Sequence, residues 1–230
     1  MVKALPVEGG YQLEGTVPWV TGFGFFQKFI GAATLPDDRA VYGMLPFTET
    51  VQQTGGIITF SKPMELGAMS ATNTVTAELT NWFLPEEAVV LIKPAGAIHE
   101  NDQRNVLHHG FHCLGNARAA LDIIEAVYKT KQLPFINQAF DALNEELKHC
   151  QSAMMAVIEA DSQTWKERLR LRAWAINLAQ RCSTAAVTVS GGAANYRHHA
   201  AQRVYREALV FTVSGQTTAV MAATLAKLVN

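Results

Sequence analysis

Three short stretches carry the residue types that could do chemistry. The first is "VPWVTGFG", residues 17–24. Trp19 and Thr21 sit two apart, so on a strand they share one face. That face could be an aromatic core strand entering a turn. It could also present a flat ring and a hydroxyl to a flat ligand. The second is "HHGFH", which puts His108 and His112 at i and i+4 on a helix, with His109 beside them. Two histidines at that spacing can hold a metal, but no third ligand or glutamate follows at zincin spacing. Packed or solvated histidines are the better reading, and no metal is expected. The third is Arg197-His198-His199 with Arg203, a basic helix start that is either solvated or set against a phosphate. The run "WKERLRLR" reads as a wet helix face. Cys113, Cys150 and Cys182 form no Cys-x-x-Cys pair, and three reduced, buried thiols are expected rather than disulfides or zinc.

The elements that must position these residues change near residue 100. Seven of the eight prolines lie before it, at 6, 18, 36, 46, 63, 85 and 94. There "GGYQLEG" gives a turn followed by alternation at Tyr11 and Leu13. "TGGIITF" is a β-branched run after glycines, and "SATNTVTAEL" alternates small polar residues with Val75 and Ala77. Beyond Asn101 the period becomes helical. One helix is expected from Asn101 or Asp102 as cap, with Leu107, Phe111, Leu114, Leu121, Ile124 and Val127 apolar. A second opens at Pro134. A third starts near Ser162 and ends at Gly191-Gly192. A fourth covers "AAQRVYREALVFTVSG" and a fifth "TTAVMAATLAKLV". The expected fold class is α+β: a partial β-barrel or sheet domain over 1–99, then an antiparallel helical bundle over 100–230.

Charge is balanced, 19 basic against 20 acidic residues, which argues against a nucleic-acid partner. No run of eighteen apolar residues appears and "MVKALPVEGG" is not a signal peptide, so a cytoplasmic protein with no membrane association is expected.

Four stretches in order resemble one family, the acyl-CoA dehydrogenases. "GGYQLEGTVPWVTG" is similar to G-G-Y-x-L-x-G-x-K-x-W-I-T-N/G. "ELGAMSATNTVTAELTNWFLPEEAVV" is similar to L-G-x-R-x-S-x-T-x-x-L-x-F-x-x-V-x-V-P. "GNARAALD" is similar to G-x-A-x-x-A-L-D, and "SGGAANYRHHAAQRVYREA" to F-G-G-x-G-Y…R-x-x-R-D-A. The resemblance covers the family's middle β-domain and C-terminal bundle. It leaves the family's N-terminal helical domain, and the first β strands with their flavin-contacting loop, without a counterpart in these residues.

The resemblance implies FAD. Trp19 would pack on the isoalloxazine, and Thr21 would act as a fixed hydrogen-bond donor near its reactive nitrogen. Lys131 stands where an arginine of R-x-Q-F-G meets a neighbouring subunit's pyrophosphate; it keeps the charge and loses the bidentate fork. Gly191 and Gly192 keep the glycine pair, with Thr188 in place of the preceding glutamine and Ala194 in place of the third glycine. Thr217 aligns with the threonine of Glu-Gly-Thr. The glutamate of that motif, the family's α-proton base, falls on Gly215, or on Ser214 if the glycines are aligned. The alternative position for the base falls on Asn105, with Val106 where many members place a substrate arginine. No carboxylate occupies either position, so no catalytic residue is assigned.

The family likeness therefore implies an FAD-dependent oxidoreductase fold acting on CH–CH groups, incomplete or inactive alone, with FAD held weakly or lost. A flavin-dependent monooxygenase of the same fold, which needs no such base, and a non-catalytic assembly subunit are the alternatives. The resemblance also implies a homodimer or homotetramer through the bundle, or a complex with a second chain, and an acyl-CoA-type ligand.

Overall fold

Glycine sets the first hairpin. Strands β1 (Lys3–Val7) and β2 (Gly10–Val20) are joined by Glu8 and Gly9, and Gly9 takes φ 75°, a conformation cheap for glycine. The computed structural model describes residues 1–160 and 164–229. It divides into two compact units, Met1–Asn101 and Asp102–Asn230.

In the first unit, the described strands make one eight-stranded sheet. They continue as β3 (Lys28–Thr34), β4 (Ala40–Pro46), β5 (Thr50–Val51), β6 (Ile57–Phe60), β7 (Val75–Pro85) and β8 (Val89–Lys93). The order is β5-β6-β7-β2-β1-β3-β4-β8. The pairs are antiparallel except β1 with β3, which meet in parallel at Lys3 and Thr34.

The long β2–β7 pair contains a bulge that resets which residues face inward. Val75, Ala77 and Leu79 are buried, then Trp82 and Leu84, so the inward phase moves from odd to even numbers. The ladder slips there, between Leu13–Trp82 and Gly15–Leu79. Asn81 takes φ 49° at the slip, and its N–H donates to the Glu14 carboxylate at 2.7 Å. The sequence pattern placed a strand through "SATNTVTAEL". Instead Ser70–Thr72 form a single 3-10 turn flanked by Met69 and Asn73 in left-handed conformations, and the strand starts at Val75. A cluster of Phe23, Phe29, Phe47 and Phe60, with ring centroids 5.1 to 6.1 Å apart, fills the space beside the end of β2.

The helices are α1 (Ala97–Arg104), α2 (His108–Lys131), α3 (Pro134–Ala160), α4 (Trp165–Ser190), α5 (Ala200–Val213) and α6 (Thr218–Val229). Asn101 and Asp102 do not cap the first long helix. Both lie inside α1, and a turn at 105–107 separates α1 from α2. The expected start of the third long helix near Ser162 lies outside the described residues. Its described part is capped by Thr164, whose hydroxyl accepts from the Glu167 N–H at 3.4 Å, in the Thr-x-x-Glu spacing of a capping box. Pro134 opens α3 as expected, where a missing N–H costs nothing.

Small residues let α2 and α4 approach. Gly110, Ala117 and Ala120 on α2 and Ala175, Ala179, Cys182 and Ala186 on α4 are all buried. A Cβ on Gly110 would lie 2.6 Å from Met154 Cε, so a larger residue there would have to displace the end of that methionine. Asn116 ties α2 to α5 through Nδ2–H donating to Val204 O at 3.0 Å. Glu146 on α3 accepts from Trp174 Nε1–H at 2.8 Å and from Arg181, both on α4. The three cysteines are free and buried; burial pushes Cys113 up to about 11 and Cys150 and Cys182 up to about 12, so all three are neutral thiols.

Candidate functional site

Pro18 lacks an N–H and interrupts the β2 ladder, which is irregular between Val17 and Val20. Beyond it exposure alternates. Trp19 is 63% exposed, Val20 is buried in the phenylalanine cluster, and Thr21 is again exposed. The indole is thus a free aromatic surface rather than a core residue. Gly22 N–H donates to Thr72 O at 2.8 Å and Phe23 N–H to Asn73 O at 3.1 Å, which holds the turn that follows.

Thr21 differs from its expected donor role. Its Oγ lies 3.1 Å from Thr74 Oγ, which lies 2.9 Å from Thr72 Oγ, and Thr72 donates to Met69 O at 2.8 Å. Each hydroxyl has one proton. Since that of Thr72 goes to Met69, Thr74 donates to Thr72 and Thr21 donates to Thr74. Thr21 therefore offers a ligand lone pairs, not a proton.

In the second unit, Lys131 ends α2 and its ammonium donates to Val189 O at 2.7 Å, in the last turn of α4. A cation suits a helix C-terminus. Gly191, with φ 65°, starts the turn Gly191–Asn195 between α4 and α5. A Cβ on Gly191 or Gly192 would meet nothing within 4 Å, so both face open space. Lys131, Val189, Ser190 and His199 line one groove of about 570 Å³. His199 caps α5, its Nδ1 accepting from Ala201 N–H at 3.1 Å. Thr217 caps α6, its hydroxyl accepting from Val220 N–H at 3.3 Å, a role its sequence position did not announce.

Around the two base positions a constellation forms that the sequence reading did not assemble. Asn105 lies in the turn before α2, and its carbonyl accepts from His108 N–H at 3.0 Å. His109 Nδ1 lies 3.0 Å from Ser214 Oγ. Arg172 donates from Nη2 to Ser214 O at 2.7 Å. Gly215 takes φ 58°, and a Cβ there would lie 2.5 Å from His109 Nε2. The imidazole thus occupies the space into which a side chain at 215 would project. His112 stacks on Phe211 at 5.8 Å, which accounts for one of the paired histidines by packing. Among the described residues no group of three or more His, Cys, Asp or Glu is placed to hold a metal.

Arg172 corrects the expected wet face of "WKERLRLR". It is 1% exposed, whereas Arg170 is exposed and paired to Glu167 at 2.6 Å. A signal existed: residues two apart cannot share a helix face, so Arg170 and Arg172 could not both face water as one stripe.

Burial, then the Arg172 guanidinium and the neighbouring histidines, hold His109 below the usual imidazole value of 6.5. The unfolded chain restores that value. As pH falls below 6.5 the unfolded state binds protons first, so stability declines until the folded value is passed. Denaturation midpoints between about pH 8 and about pH 5 should fall in the native chain and fall less steeply in His109→Gln. Equal slopes would remove His109 from the pH response.

Neither a family model nor a curated protein matches the sequence. Solved structures do match it. A putative acyl-CoA dehydrogenase from Mycobacterium smegmatis superposes with TM-score 0.81 at 13% identity, covering 99% of this chain and 63% of that one. Butyryl-CoA dehydrogenase from Megasphaera elsdenii gives 0.77 at 16% identity, covering 100% and 63%. A glutaryl-CoA dehydrogenase from Mycobacterium smegmatis in complex with FADH2 gives 0.79 at 15% identity, covering 99% and 60%. The chain has the mixed α and β fold of the middle and C-terminal domains of these enzymes, and it spans about 63% of the length of the first two. No described helix is long and apolar enough to cross a membrane.

Proposed function

We propose that this chain is an acyl-CoA-dehydrogenase-like flavoprotein part. In this reading it keeps a weak FAD site and does not by itself dehydrogenate an acyl-CoA. The observation that carries the reading is the exposed indole of Trp19 at a broken strand end, in a chain whose fold matches acyl-CoA dehydrogenases over its whole length. Trp19 offers a face for the flavin ring, and Thr21 offers an acceptor beside it. Lys131, Gly191, Gly192 and Thr217 are the residues proposed for the phosphates and the rest of the cofactor. When bound, the flavin supplies hydride-acceptor chemistry.

Two features argue for weakness. The Lys131 ammonium is engaged by Val189 O, and the proton of Thr21 is committed inward. The protein should purify largely colourless and take up added FAD only at high concentration. Trp19→Ala should weaken that binding by about 1–3 kcal/mol, read by an absorption or fluorescence titration. Stoichiometric, tightly held FAD in the purified protein would overturn the weak-site reading.

The proposed assembly is a homodimer or homotetramer through the bundle, or a complex with a second chain. Met221, Leu225 and Leu228 are exposed and follow the i, i+4, i+7 spacing of one helix face on α6; Leu209 and Val213 are exposed on α5. Light scattering at micromolar concentration should give a mass at least twice the 25.1 kDa of the chain. A monodisperse monomer would count against it.

A further inference from the structure

Arg172 is a buried cation without an anion. Its Nη2 is satisfied by Ser214 O, but Nε and Nη1 are buried and have no hydrogen-bond partner. Buried guanidinium groups are ordinarily paired, because an uncompensated interior charge is expensive. Here no carboxylate among the described residues forms an ion pair with it, and the Cys113 thiol, one turn from His109 on α2, is pushed up to about 11 by burial and brings no charge at neutral pH. The other titratable neighbours are three histidines and one acid. His109 is bonded to Ser214, and the rings of His109 and His112 are 5.8 Å apart. His108 adds a third imidazole and Asp102 is the acid that acts on His109, as the smallest influence. All of this lies under the turn from Ser214 to Thr217, where Gly215 and Gln216 are exposed.

We propose that Arg172, His109 and Ser214 form a binding site for a small carboxylate, or for the carboxylate end of a longer ligand, beneath the turn between α5 and α6. The ligand supplies the negative charge that neither Gly215 nor Asn105 brings. Arg172 supplies a charge-assisted hydrogen bond from a nitrogen that has none, and Ser214 and His109 supply the second contact. Without a Cβ, Gly215 leaves the His109 ring in its place beside the turn, in hydrogen-bond reach of Ser214. Binding places an anion next to His109, so imidazolium becomes more favourable and the complex binds a proton more readily than the free protein does. The site lies within the second unit and does not depend on the flavin reading.

The probe is sodium formate, with sodium chloride at equal ionic strength as the reference. The readout is the titration of the His109 ring by NMR, with binding isotherms at about pH 5.5 and about pH 8. Formate is expected to raise the His109 midpoint, and to bind about tenfold more tightly at the lower pH. Arg172→Leu should fold, since it removes an unpaired charge, and should abolish both effects. His109→Gln tests the site should that variant not fold: formate should bind more weakly, and its affinity should be the same at the two pH values. No movement of the His109 midpoint with formate beyond that seen with chloride would overturn the proposal. So would an unchanged formate response in folded Arg172→Leu. Flavin absorption has no part in the readout, so failure here leaves the FAD reading where it was.

Discussion

Loaded with FAD and mixed with a panel of saturated acyl-CoA thioesters, the chain should bleach its flavin no faster than roughly a hundredth to a ten-thousandth of an ordinary enzymatic rate. Acyl-CoA dehydrogenation removes an α-proton as hydride leaves the neighbouring carbon, and a positioned base is worth about that factor. The two positions where the family resemblance puts the base hold Gly215 (or Ser214) and Asn105, none of which is a carboxylate. The proton acceptor nearest to Gly215 is His109, and it is a poor substitute. Its Nδ1 is engaged with Ser214, and burial together with the Arg172 guanidinium disfavours the imidazolium it would have to become. A weakly acidic thioester α-proton needs a better acceptor. Single-turnover bleaching is the measurement. A rate of ordinary size would mean that another residue supplies the base, and the inactive-alone reading would be withdrawn.

The second large effect concerns the direct repair. Gly215→Glu restores a carboxylate to the aligned position, yet it should destabilise the fold by roughly 2–4 kcal/mol and restore no turnover. Two costs add. At φ 58° a glutamate sits in the left-handed region, where a Cβ is strained. That Cβ also falls 2.5 Å from His109 Nε2, so the imidazole must leave and Ser214 loses its partner. Gly215→Ala should show most of the same loss, because the clash begins at Cβ. Ser214→Ala, which removes one hydrogen bond, should cost only about 0.5–1.5 kcal/mol. Chemical denaturation of the three variants checks the order. A Glu variant as stable as the native chain would mean that the turn and His109 rearrange without cost.

The sequence by itself determined the local structure. Alternation at Tyr11 and Leu13 and the run Ile57–Phe60 became β2 and β6, and the apolar spacing from Leu107 to Val127 became α2. These signals are local: a period of two or of 3.6 is readable within a dozen residues. The motif order around Trp19, Leu66, Gly115 and Gly191 sufficed for the fold, which the superposed structures bear out. Boundaries were less legible. The turn at 105–107 and the single turn at Ser70–Thr72 rest on backbone conformations that the apolar pattern does not encode.

Tertiary structure alone decided which polar groups meet. Ser214 is 42 residues from Arg172 and 105 from His109, and nothing local marks that convergence. Thr21 is 53 residues from Thr74, and its pairing turns an apparent donor into an acceptor. Arg172 looked like part of a solvated stripe until packing placed it inside the bundle, with two of its nitrogens unpaired. Periodicity tells a helix which face to bury; it does not say which buried side chain will be left without its counter-charge. That depends on what each neighbouring helix brings to the same few cubic ångströms, and among the described residues none of them pairs a carboxylate with Arg172.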